Sequence, residues 1–239
     1  MRARLATILD DKVDAWGCAP VERFAGSPDR HHPSNVLRGA RSVIVTARKV
    51  PKGCFDSPEF EAHFLHRSYH TVYPYLDQLG FDLALALERA GHKAVQVPSF
   101  APLSREADGS WGIISLKHAA QAAGLGSFGH CGLVYHPEHD SMLRFGAVIT
   151  TAELTADPTL DYEPCEENCR ACEDACPAGA FVDGQFVKGK CQAYSIRHPI
   201  YPLVLKEEWG LANLELVTNT AGYNYWVGCC ECLKACPAN

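Results

Sequence analysis

Four cysteines fall between Cys165 and Cys176, and a proline follows the last of them. A second set, Cys229, Cys232 and Cys236, also ends in proline, and Cys191 stands between the two sets. Thiolates at such short spacing wrap a loop around a soft metal or a metal–sulfur cluster. Cys169-x2-Cys172-x3-Cys176-Pro177 and Cys229-x2-Cys232-x3-Cys236-Pro237 repeat one pattern. In it the short spacings enclose one cubane and the cysteine before the proline reaches the other. The proline removes a backbone donor and turns the chain away. Applied here, this crossing assigns Cys165, Cys169, Cys172 and Cys236 to a first [4Fe–4S] cluster. Cys176, Cys191, Cys229 and Cys232 fall to a second. One spacing departs from the pattern: three residues separate Cys165 from Cys169 where two are expected, which loosens the register of Cys165. Cys230 would leave only one residue before Cys232, too short for the usual loop. A pair of four-cysteine zinc sites is the alternative, although zinc knuckles need no x3-Cys-Pro tail. Two neighbouring clusters make an electron wire, so the residues before them must hold an acceptor.

The elements that would position that acceptor alternate. Leu5, Ile8, Leu9, Val13 and Trp16 are spaced for a first helix within residues 1–16, followed by a Gly-Cys-Ala-Pro turn. Ser42 to Val50 is β-branched and reads as a buried strand. Thr71 to Gly91 carries Tyr75, Leu76, Leu79, Leu83 and Leu87 on one helical face and ends in glycine. Lys93 to Val97 is a short strand. Ser115 to Gly124 is a helix with Ser115 as N-cap. Gly132 to Pro137 and Arg144 to Leu154 read as two strands joined by a polar turn. The pattern is that of an α/β (α+β) domain. Composition shifts between Asp157 and Pro164, dividing the chain into residues 1–158 and 159–239.

Other local signals carry less. Gly124-x-Gly126-x-x-Gly129 has the spacing of a dinucleotide fingerprint, but a helix precedes it and a strand follows, the reverse of the required context. Its glycines instead suit a tight loop where backbone approaches a ligand or another strand. Asp29 to Ser34 (DRHHPS) reads as a surface loop. Cys18, Cys54 and Cys131 read as small core residues. No nucleophile–base arrangement and no P-loop stands out.

The chain has 239 residues, of which 47% are hydrophobic and 21% charged, ample for a packed core. The start, MRARLATILDD, has no continuous apolar stretch of the signal-peptide kind, and no apolar run suits a membrane span. A cytoplasmic location is the expectation, and clustered cysteines in a reducing compartment are metal ligands rather than disulfides. The formal charge of −6 disfavours phosphate backbones as partners.

Four pieces in order resemble the cobalamin-dependent epoxyqueuosine reductase and reductive dehalogenase superfamily. They are SYHTVYPYLDQLG from Ser68, the stretch His118 to Leu154, the first cysteine knot, and KCQAYSIRH followed by WVGCCECLKACPAN. The resemblance implies a nitroreductase-like sandwich over residues 1–158. It would hold cobalamin or another corrinoid, with FMN as the alternative occupant. A bacterial-ferredoxin-like domain with two [4Fe–4S] clusters would follow over 159–239. It further implies that Gly124, Leu125, Gly126, Gly129, His130 and Tyr194 lie against the cofactor. Tyr69, His70, Lys117 and His118 become the catalytic candidates.

The implied activity is that of an iron–sulfur oxidoreductase passing single electrons to a corrinoid, for reductive cleavage of a small-molecule substrate. Its electron donor would be a ferredoxin or flavodoxin. An electron carrier or corrinoid-handling protein without its own substrate is the second reading. Two departures bear on this. The acidic residue expected before the Gly-Leu-Gly helix does not align within Ser104 to Ser115, where Asp108 is near but Ser110 falls nearer the place. The sequence also stops three residues after Cys236, with no helical-repeat extension. With the acidic balance, this gives the expectation that neither tRNA nor other nucleic acid is a partner.

Overall fold

A four-stranded antiparallel sheet organises the first part of the chain, in the computed structural model, which describes residues 1–100, 104–106, 109–197, 226–227 and 229–239. Its strands are β1 (Ala15–Pro20), β2 (Ser42–Lys49), β3 (Ala94–Val97) and β4 (Leu143–Thr150), in the spatial order β1-β2-β4-β3. Strand β2 is buried on both faces because its side chains alternate between two cores. Val43, Val45 and Ala47 pack with Ala119, Ala120 and Ala123 around helix α3 (Leu116–Ala122). Ile44 points the other way, toward Leu5 and Leu9 of α1 (Arg2–Leu9) and Leu79, Leu83 and Leu87 of α2 (Glu61–Arg89). Helices cover both faces, which is why β2 reads as an unbroken apolar run.

The elements differ from the sequence expectations in four places, the first being helix α1, which ends at Leu9 and leaves Trp16 to β1. Helix α2 begins at Glu61 rather than Thr71 and runs through Pro74. Leu65, Tyr69 and Val72 continue the buried stripe toward its N-terminus, but interleaved histidines mask it. The Gly-Cys-Ala-Pro stretch is not a turn but most of β1, paired in register with β2 from Ala15↔Ala47 to Pro20↔Ser42. Gly17 is needed there because a Cβ would meet the Ala123 carbonyl oxygen at 2.3 Å. The strand expected at Gly132 to Pro137 is short, Val134–Tyr135, and pairs with Ser127–Phe128 rather than with β4.

His31, in the stretch read as a surface loop, is buried. Its Nδ1 lies 3.1 Å from the Ile113 carbonyl and its ring 5.1 Å from that of Trp111. Asp157, where composition shifts, is tied to the sheet. It accepts from the Cys18 backbone N–H at 2.8 Å and pairs with Arg2 at 2.6 Å.

The cysteine-rich tail packs on the sheet domain rather than trailing from it. Cys230 and Leu233 join a cluster with Val50, Leu65, Tyr69 and Met142, and the short helices Ala171–Asp174 and Glu231–Ala235 contact each other. The glycines of the loop after α3 set this junction. Gly126, at φ 145°, would place a Cβ 2.2 Å from the Tyr135 carbonyl oxygen, and Gly129 would place one 2.6 Å from the Tyr135 ring. Gly126→Ala therefore meets both backbone strain and a steric clash, and should cost at least about 1–3 kcal/mol. Thermal unfolding of the metal-loaded protein checks this. Gly53→Ala, with nothing within 4 Å of its Cβ position, is the control that should stay close to the parent.

Candidate functional site

Between the sheet domain and the tail lies a cavity of about 530 Å³. Tyr69 and Tyr73 of α2, Arg144 of β4 and Lys117 and His118 of α3 line one side. Cys176, Cys191, Cys229 and Cys232 line the other. Trp111 and Lys188 close one edge, with the Lys188 ammonium 4.3 Å from the indole centroid. The Ser110 backbone N–H donates to Gln192 Oε1 at 2.9 Å, fastening the Cys191 helix (Lys188–Ser195) to that edge.

Charge in this chamber is one-sided. Among the described residues its lining holds Lys117, Lys188 and Arg144 but no carboxylate. Lys117 donates through Nζ to the Gly132 carbonyl at 2.5 Å. Burial lowers its pKa, and the neighbouring Cys131 and Cys191 sulfurs pull it back up. Arg144 donates to the Ser141 and Leu143 carbonyls at 3.0 and 2.7 Å and to Tyr69 Oη at 2.5 Å. Burial pushes the Tyr73 hydroxyl up to about 12, against the pull of Arg144. Ser115 caps α3 and holds His118, its Oγ 2.6 Å from Nδ1. Partial burial and the adjacent Lys117 and Lys188 lower the His118 pKa, so the ring is neutral near pH 7.

The sulfurs gather in two groups. Cys172 is pushed up to about 12 by burial and by its neighbours Cys131, Cys165 and Cys236. Cys191 is raised by burial and by Cys229 and Cys176, against a hydrogen bond from Ser195. Cys232 is raised by its hydrogen bond with Cys131, by burial, and by Cys191 and Cys229. Crowded thiols resist joint ionisation unless a cation offsets their charge, and metal ligation requires the thiolates. Cys169 sits in a turn in which its N–H donates to the Glu166 carbonyl at 3.1 Å, with Asn168 at φ 64°.

Of the residues singled out from sequence, Tyr69, Lys117, His118 and Tyr194 line the cavity. His70, Gly124, Leu125, Gly126, Gly129 and His130 are not among its lining residues. His70 meets the His66 ring at 4.2 Å. The His130 backbone N–H donates to Cys165 Sγ at 3.3 Å, and its ring stacks on Phe181 at 5.0 Å. The loop after α3 lends Phe128, Cys131 and Gly132 to the cavity instead. Arg144, Tyr73 and Lys188 had no sequence signal, since each sits singly in an ordinary helix or strand pattern. Cys131, read as a core cysteine, is buried as expected, in a cluster with Tyr135 and Cys172 against which Cys232 and Cys236 pack. Asp108 lies outside the described residues.

No family model matches the chain. An epoxyqueuosine reductase of Gloeobacter violaceus is 29% identical over 243 residues, covering 96% of this chain and 67% of the relative. The chain spans about two thirds of the length of that relative and half of the length of an epoxyqueuosine reductase of Bacillus subtilis, to which it is 24% identical. A crystal structure of an epoxyqueuosine reductase with an epoxyqueuosine-modified tRNA-Tyr stem loop matches at TM-score 0.56 and 18% identity, over 100% of this chain and 64% of that one. A catabolic reductive dehalogenase matches at TM-score 0.59 and 16% identity, over 95% of this chain and 30% of that one.

The expectation that tRNA is excluded is corrected by these relatives. A protein of this fold is solved with a tRNA stem loop, so the acidic balance is no argument against such a partner. Net charge averages the whole surface, whereas a phosphate backbone meets one local patch. Among the described residues no helix is long and apolar enough to cross a membrane. The chain is thus similar in sequence to epoxyqueuosine reductases along nearly its whole length, and its mixed helix–sheet fold is shared with an epoxyqueuosine reductase and a reductive dehalogenase.

Proposed function

We propose that the chain is an iron–sulfur and corrinoid-dependent reductase whose substrate is an epoxyqueuosine carried on tRNA. This replaces the small free molecule expected from sequence. The observation that carries the proposal is the cavity wall. Four cysteines of one proposed cluster face a chamber with aromatic and cationic groups on its other side, in a chain resembling epoxyqueuosine reductases.

The donor set fits two four-cysteine clusters. Cys172 lies near Cys165 and Cys236, while Cys191 and Cys232 lie near Cys229, with Cys176 beside Cys191. That grouping agrees with the crossed assignment, in which Cys165, Cys169, Cys172 and Cys236 hold the first cluster and Cys176, Cys191, Cys229 and Cys232 the second. The sheet domain over residues 1–158 would hold the corrinoid against Tyr69, Tyr73, Trp111 and Phe128, and the tail over 159–239 would hold the clusters. When bound, the corrinoid supplies a strongly reducing metal centre.

Reductive opening of an epoxide takes two electrons and two protons, and the chain's own groups must supply the proton path. Tyr69 Oη accepts from Arg144, which leaves its own O–H free to face the chamber. The guanidinium also stabilises the phenolate that proton donation would leave. His118, neutral and fixed by Ser115, is the second protic group, and Lys117 is the third. The aromatic walls exclude water from the reacting centre. An electron carrier without a substrate has no need of such a chamber.

Three outcomes test this reading. Cys172→Ser and Cys232→Ser should each reduce iron from about eight to about four per chain, whereas Cys18→Ala should leave it unchanged; iron and sulfide analysis of anaerobically purified protein decides. Cobalamin should bind the iron-loaded chain tightly, with FMN as the competing ligand in the same titration. Cobalamin refused and FMN bound would move the assignment to a flavin enzyme. With both loaded, a tRNA stem loop bearing epoxyqueuosine should be reduced and the free nucleoside turned over poorly. Tyr69→Phe should slow that turnover on the order of 10²-fold without loss of iron.

A further inference from the structure

Cys131 and Tyr135 come from the sheet domain, yet they stand between the two sulfur groups. Neither is used by the ligand assignment or by the cavity chemistry. Tyr135 is 1% exposed and Cys131 4%. The Tyr135 hydroxyl meets sulfur on two sides: it donates to Cys236 Sγ at 3.1 Å and lies 3.5 Å from Cys131 Sγ. Cys232 packs against the buried cluster that holds Cys131 and Tyr135, which brings its sulfur within hydrogen-bonding reach of Cys131. Cys236 and Cys232 belong to different clusters in the assignment above, on which this inference rests.

Proton accounting sets the directions. A metal-bound cysteine is a thiolate and can only accept. The single hydroxyl proton of Tyr135 therefore goes to Cys236. The Cys131–Cys232 pair keeps one proton, and it stays on Cys131 when Cys232 is a ligand. A buried phenol needs its hydrogen bond satisfied, so this arrangement is not free to rotate away. The local backbone enforces it. Tyr135 pairs with Ser127, the Gly129 N–H donates to the Leu133 carbonyl at 2.9 Å, and a Cβ on Gly129 would meet the Tyr135 ring at 2.6 Å. The glycine loop thus acts as a clamp on Tyr135.

Hydrogen bonds to cluster sulfurs are among the main determinants of reduction potential. The reduced cluster carries one more negative charge than the oxidised one. A donor on its thiolate stabilises the reduced form more and raises the potential. The geometry points to Tyr135 and Cys131 as tuning residues, one donor per cluster: Tyr135 through Cys236 and Cys131 through Cys232. One short segment of the sheet domain then sets both potentials, and it does so only when the tail is docked.

The test is a redox titration followed by electron paramagnetic resonance on the full chain, reconstituted with iron and sulfide without oxygen. Tyr135→Phe should retain about eight iron and move one of two midpoint potentials to a more negative value. Cys131→Ala should move the other in the same direction. Cys131→Ser, which keeps a proton donor, should return that second potential toward the parent. Unmoved potentials in both variants, or the same potential moved by both, would overturn the inference. So would loss of iron in place of a shift, because it would mark the side chain as a structural part. A parent chain that takes up no iron counts against the two-cluster reading itself. Normal iron with unmoved potentials counts against this inference alone.

Discussion

Thiols crowded together and partly buried cannot all be ionised unless positive charge sits among them. That constraint governs the tail. Cys172, Cys191 and Cys232 are all raised by burial together with sulfur neighbours. Without metal the groups are stores of unfavourable charge or of buried thiols with little to bond. With iron bound as proposed, they would become the cross-links of a segment whose described helices are only four to eight residues long. Such short elements lack the area to fold alone. Metal binding and folding are then one event, and docking against Val50, Leu65 and Tyr69 is the third party to it.

The sheet domain is shaped around that docking. The glycine spacing that imitates a nucleotide loop is used for contacts within the protein. Gly124 makes room for the Pro158 carbonyl, Gly126 for that of Tyr135, and Gly129 for the Tyr135 ring. Each would otherwise collide at under 3 Å. The first of these contacts reaches Pro158, and the others reach the strand whose Tyr135 hydroxyl meets Cys236. A tight loop where backbone approaches another strand was legible from the reversed helix-before-strand context. The identity of what approaches was not, because Tyr135 is ordinary in its own sequence window.

The same division runs through the rest. Spacing along the chain made the capped helix α3 and the buried strand β2 readable, since each is set by neighbours within a few residues. Strand β1 was missed because Gly17 and Pro20 look like punctuation. Only the carbonyl of Ala123, far along the chain, explains the glycine. Two of the cavity's three cations, Arg144 and Lys188, were missed for a like reason. Lys117 belongs to α3, Arg144 to β4 and Lys188 to the Cys191 helix, and nothing in any one window announces that they converge.

Their convergence gives the chamber its electrostatic character. Three cations without a described carboxylate would be costly in an apolar pocket. Facing Cys176, Cys191, Cys229 and Cys232, they would be the complement of a negatively charged wall once those sulfurs ligate the proposed cluster. An effective dielectric near 20 still leaves a few kcal/mol between unit charges about 4 Å apart. This local field, rather than the −6 of the whole chain, is what an anionic partner would meet. The formal sum says nothing of such a pairing, in which cations on one wall face sulfurs on the other. Total charge therefore excluded too much, because recognition samples a patch and the formal sum does not.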